Sequence, residues 1–104
     1  MRDELPVRLG GLAANLRRVK SAASRDENRA AVEGLLDESK HFIEWTAAEA
    51  DIDQAAELVE LQVQLARWQY KWHDIWSDPE RRQEVAGQAG RWSDRVLELS
   101  GLMG

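Results

Sequence analysis

Glu38-Ser39-Lys40-His41 sets a carboxylate and an imidazole three residues apart, which on a helix places them on one face at a spacing suited to a divalent metal ion. Glu57-Leu58-Val59-Glu60 repeats that spacing with two carboxylates, an oxygen-rich pair of the kind magnesium prefers. The 104 residues include no cysteine, so thiolate metal ligands, a cysteine nucleophile and a disulfide framework are all excluded. The serines fall at expected helix caps, on helix surfaces or in the tail, and no grouping of serine, histidine and acid follows from their spacing.

Glu38 and His41 resemble the Glu-x-x-His element that di-iron helical bundles use twice, and the resemblance implies a second such element and further inward glutamates. The other histidine, His73, has Tyr70 where that element requires a carboxylate, and the first helix offers no inward glutamate. Glu57 and Glu60 resemble the paired carboxylates of all-α nucleotide pyrophosphatases, which implies a second acidic pair on a later helix. Glu80-Arg81-Arg82-Gln83 and Glu84-Val85-Ala86-Gly87 do not supply it. Both pairs therefore read as solvated helix faces. The expectation is a protein with no catalytic residues, no metal and no cofactor.

Five of the seven aromatic residues are tryptophan, and Trp68, Trp72 and Trp76 recur every four residues along one side of a helix. Such a ladder can wall a planar ligand or anchor a protein partner, or it can fill a core. Each indole buries about 150–250 Å², roughly 4–6 kcal/mol gross at about 25 cal/mol per Å², which favours the core. A tight turn at Ser77-Asp78 pairs positions near 68 with positions near 87, where Ala86-Gly87-Gln88-Ala89-Gly90 offers small residues for a large indole to cover. Gln62, Gln69 and His73 form a polar line beside the ladder. That line faces water, or is buried and fixes register or oligomeric state, or touches a ligand through His73.

These residues are carried by four segments of helical period, and no segment reads as strand. Leu5, Leu9, Leu12, Leu16, Val19 and Ala23 alternate in steps of four and three, marking one buried face of a helix over about 6–23, with Gly10-Gly11 leaving its start open. Ser24-Arg25-Asp26-Glu27 has the form of a capping box opening a second helix over about 25–48, whose apolar face holds Ala31, Val32, Leu35, Leu36, Phe42, Ile43 and Trp45. Asp51 or Asp53 caps a third helix over about 53–76. This helix carries a heptad series, Leu58, Leu61, Leu65, Trp68, Trp72 and Ile75, and beside it a second stripe of Ile52, Val59, Val63, Ala66 and Tyr70. Two apolar stripes on one helix predict neighbours on both sides, within a bundle or an oligomer. Ser77-Asp78-Pro79 opens a fourth helix over about 79–100, which buries Val85, Ala89, Trp92, Val96, Leu99 and Met103 and ends at Gly101.

A 43% hydrophobic and 32% charged composition predicts one folded domain spanning 1–104. The amino terminus lacks the apolar segment of a signal peptide, and the longest run without a charge, Leu9 to Leu16, is far too short to span a membrane. A cytoplasmic protein is expected. The net charge of −5 conceals a basic first quarter, with six basic and two acidic side chains in residues 1–25, and an acidic stretch of eleven acidic and two basic in 26–60. Arg17, Arg18 and Arg25 spread around the first helix instead of forming a stripe, so the basic segment is read as neutralising the acidic helix and not as binding nucleic acid.

Short connections predict an all-α, antiparallel up-down four-helix bundle, completed or extended by homodimerisation. The function expected is a helical protein-interaction or scaffold module that self-associates through the wide apolar face of the third helix. The alternative is a binder of an apolar or planar small molecule, with Trp68, Trp72, Trp76, Gln62, Gln69 and His73 as contacts.

Overall fold

The structure, a computed structural model, describes residues 4–101. Within them the chain forms α1 (Glu4–Ala22), a 3-10 turn at Asp26–Asn28, α2 (Arg29–Ala47), α3 (Ile52–Tyr70), α4 (Trp72–Ser77) and α5 (Pro79–Ser100), with no strand among the described residues. None of these helices is long and apolar enough to cross a membrane. Met103, expected in the core, lies outside the described residues.

Local chemistry accounts for most of the boundaries. The Asp51 carboxylate accepts from the Gln54 backbone N–H while the Gln54 side chain accepts from the Asp51 N–H, a reciprocal cap that satisfies two orphan donors at the start of α3. Asp78 accepts from the Glu80 N–H with Pro79 at the first helical position of α5, and Gly101 closes that helix in the left-handed conformation, at φ 76°. Gly10 and Gly11 lie inside α1, which starts before them. A Cβ at Gly11 would sit 3.1 Å from the Phe42 ring, so the glycine lets α2 approach α1 closely there.

Two boundaries depart from expectation. The capping box at Ser24 does not form: the Ser24 hydroxyl donates back to the Ser21 carbonyl, and a 3-10 turn precedes α2 with no side-chain cap. Asn28 instead ties the turn to α1, donating to the Ala22 carbonyl at 3.0 Å. The helix expected over 53–76 is interrupted at Lys71, which sits at φ −98° and ψ 14°, outside the α region. Lys71 N–H still reaches the Arg67 carbonyl and Lys71 O accepts from Ile75, so the interruption lasts one residue.

The helices wrap one continuous core of Leu9, Leu12, Leu16 and Val19 from α1, Val32, Leu36 and Ile43 from α2, Leu58, Leu61, Leu65 and Trp68 from α3, Trp72, Ile75 and Trp76 from α4, and Val85, Ala89 and Val96 from α5. α1 lies between α2 and α5 and runs antiparallel to each: Arg8 meets Glu49 and Gly11 meets Phe42, while Ala13 meets Ser93 and Lys20 meets Gly90. The buried Ser93 hydroxyl donates to the Ala13 carbonyl at 2.7 Å, locking α5 to α1.

The two glycines of α5 do not meet an indole as expected. A Cβ at Gly90 would lie 2.9 Å from Cδ of Lys20, so this glycine serves the close approach of α1. Trp68 does face α5, but at a groove it shares with Glu84, Val85 and Gln88. α3 reaches the far end of α5 through polar contacts, Gln54 to the Leu99 carbonyl at 3.0 Å and Arg95 to Glu57.

Candidate docking face

α3 is apolar on two opposite sides. Leu58, Leu61, Leu65 and Trp68, in steps of three and four, turn inward and are buried. About half a turn around the helix stand Ile52, Ala56, Val59, Val63, Ala66 and Tyr70, in steps of four, three, four, three and four, and all six are exposed. Ile52 keeps 87% of its surface, Tyr70 86%, Val59 51% and Val63 45%. The second stripe, for which a covering neighbour is expected, stays exposed within the described chain.

That spacing is the heptad period at which one helix docks along another. A helix packed on one side and solvated on the other ordinarily shows polar residues outward. Here the outward face is aliphatic with one tyrosine, and its border is polar: Asp53, Glu60 and Arg67 along one edge, Gln62 and Gln69 along the other. An apolar strip with a polar rim has the anatomy of an interface.

The edge occupied by Gln62, Gln69 and His73 faces α2. Gln69 Oε1 accepts from Lys40 Nζ at 2.9 Å, and the exposed His73 ring lies 3.5 Å from the Arg29 guanidinium. Gln62 and Gln69 are half-buried, so this polar line is the seam between α2 and α3–α4 and only partly faces water. On the opposite edge Arg95 of α5 holds Glu57 through Nε to Oε1 at 2.5 Å and Nη2 to Oε2 at 2.7 Å. Those hydrogen bonds, aided by the charges of Glu57 and Glu98, raise the Arg95 guanidinium above its ordinary pKa. α3 is thus held on both flanks, by α2 through Gln69 and by α5 through Glu57.

Trp68, Trp72 and Trp76 are buried, and Trp72 and Trp76 pack on each other with ring centroids 5.3 Å apart. The Arg82 guanidinium caps Trp76 from outside at 4.8 Å from the ring centroid and pairs with Asp26. The ladder therefore belongs to the core, as its burial energy favours.

Trp45, assigned to the inner face of α2, is 61% exposed, and Ala31 is exposed as well. The buried face runs through Val32, Leu36 and Ile43, as expected, and also through Ser39 and Thr46, with Leu35 and Phe42 half-buried against the core. Trp45 lies over the buried Arg8 guanidinium, 4.4 Å from it, and Arg8 is paired with Glu49 at 2.8 Å. Beside Trp45 an open groove of about 580 Å³ is lined by Phe42, Glu38, His41 and Glu44.

His41 is exposed and contacts Asp37 of its own helix, while Glu38 lines the groove beside it. Among the described residues no three His, Asp or Glu side chains come together in a way that could hold a metal ion. Neither protein-family models nor searches of curated proteins and of solved structures gave a match to this chain.

Proposed function

We propose that this chain is a non-catalytic helical interaction module, an up-down four-helix bundle in which α4 extends α3, and that it works in the cytoplasm by docking another helix along the exposed strip of α3. The observation that carries the reading is the six-residue heptad strip, Ile52 to Tyr70, left in water on a helix whose opposite side fills the core. Aliphatic side chains gain about 25 cal/mol for each Å² withdrawn from water, so a partner helix at this spacing is favoured by what the fold leaves exposed.

Native mass spectrometry of the protein purified from its own host tests this. The reading expects a polypeptide complex heavier than the 11.8 kDa chain, lost when Val59 and Val63 are both changed to Asp. A bare chain, or a complex that survives the double change, contradicts it.

A second reading, the binding of an apolar or planar small molecule, is favoured by the groove at Phe42 and Trp45 more than by the buried indoles. It expects an added mass of a few hundred daltons in the same spectrum, removed by Trp45→Ala and unaffected by the valine changes.

A further inference from the structure

The partner that fits the strip best is the strip itself. We infer that α3 pairs with α3 of a second copy, antiparallel, about a two-fold axis between Val59 and Val63; this rests on the docking reading above and names its occupant. In steps of four and three from Ile52, the antiparallel register places Ile52 against Tyr70 of the second copy, Ala56 against its Ala66, and Val59 against its Val63. Along the seam the bulky Tyr70 then meets the terminal Ile52, the valines meet near the axis, and the alanines let the helices approach between them.

Charge selects the same direction. Asp53 lies in the first turn of α3 and Arg67 in the last, so only an antiparallel pair brings them opposite, twice, across the edge of the seam. Glu60 meets its own copy at the axis, on a water-exposed edge where the repulsion is screened. The other edge pairs Gln62 with Gln62 and Ala55 with Gln69, uncharged throughout. In a parallel pair these edges would set Ala55 against Glu60 and Gln62 against Arg67, with no opposite charges matched.

The 19 residues of α3 give a seam about 28 Å long and about 10 Å wide, well below the roughly 800 Å² per partner of a standard interface. The dimer is therefore weak and builds up with concentration.

A chain without cysteine allows a clean test by directed disulfides. The exposed alanines are changed singly, Ala56→Cys and Ala66→Cys, and each variant is oxidised alone and mixed with the other. The antiparallel pair predicts a linked dimer in the mixture only, because residue 56 and its own copy lie about 15 Å apart in that register. A linked dimer from either variant alone indicates a parallel pair, and no link under any condition indicates no pair; both overturn the inference. As a second measurement, Asp53→Arg weakens the dimer about tenfold and Asp53→Arg with Arg67→Asp restores it; equal affinity for both variants also overturns it. If these fail while the host complex is still lost on changing Val59 and Val63, the docking face stands and its occupant is another protein.

Discussion

Leu61 and Val63 stand two residues apart on opposite faces of α3: Leu61 has no exposed surface, whereas Val63 keeps 45% of its own. Both are aliphatic, so hydrophobicity alone does not distinguish them; what separates them is which has a neighbour in the same chain. Leu61→Ala leaves a cavity in the core and is expected to cost about 2–5 kcal/mol, lowering Tm by many degrees. Val63→Lys is expected to leave the melting temperature of dilute protein within a few degrees of the parent. Thermal melts by circular dichroism read both, and comparable losses for the two substitutions would show that the outer strip is also part of the fold.

Gly90 meets the stem of Lys20, with 2.9 Å between its would-be Cβ and Cδ. Gly90→Ala is therefore held back by a flexible side chain and not by backbone, and its effect depends on whether Lys20 yields. In a Lys20→Ala background the same change gains the helix propensity of alanine, about 1 kcal/mol, without the contact. Denaturant titration of the four proteins measures the coupling, and additive effects would contradict the packing of Gly90 on α1. Gly34 has no atom near its would-be Cβ, so Gly34→Ala serves as the uncoupled control and is expected to stabilise by about 0.5–1 kcal/mol.

The hydrogen bond from Ser93 to the Ala13 carbonyl is buried, and Ser93→Ala is expected to cost about 1 kcal/mol. Its removal acts where α5 meets α1, so amide exchange should speed up around residues 13–17 while the middle of α3 stays protected. Uniform loss of protection would contradict that local effect.

Much of this was legible in the sequence, and the exceptions have physical causes. Asp51, Asp78 with Pro79, and Gly101 act through backbone geometry that neighbouring residues alone determine, and each ends or begins a helix as its type predicts. The interruption at Lys71 has no glycine or proline to announce it. On α2 only Ala31 and Trp45 depart from the expected inner face, because periodicity weighs only apolar residues and the buried face passes through Ser39 and Thr46. Ser39 is buried at little cost because its hydroxyl donates to the Leu35 carbonyl at 2.7 Å, and counting these two inside turns Trp45 outward. The second stripe of α3 was visible as residues, but its exposure depends on how four other helices are arranged, which no local pattern encodes.

Trp45 is the most exposed of the five indoles, since Trp68, Trp72 and Trp76 are buried and Trp92 is half-buried. Trp45→Phe is therefore expected to remove most of the fluorescence that acrylamide quenches and to shift the emission maximum to shorter wavelength. An unchanged quenching curve would mean that one of the ladder tryptophans reaches solvent.

Sedimentation equilibrium across a concentration series from about 1 µM to several hundred µM, on the parent chain and on Val63→Lys, tests the role of the α3 strip most directly. The parent is expected to rise from the 11.8 kDa chain mass toward twice that value while Val63→Lys stays at the chain mass throughout. A parent that remains at the single-chain mass over the whole series, or a Val63→Lys variant that associates as strongly, would contradict a dimer formed by the exposed face of α3.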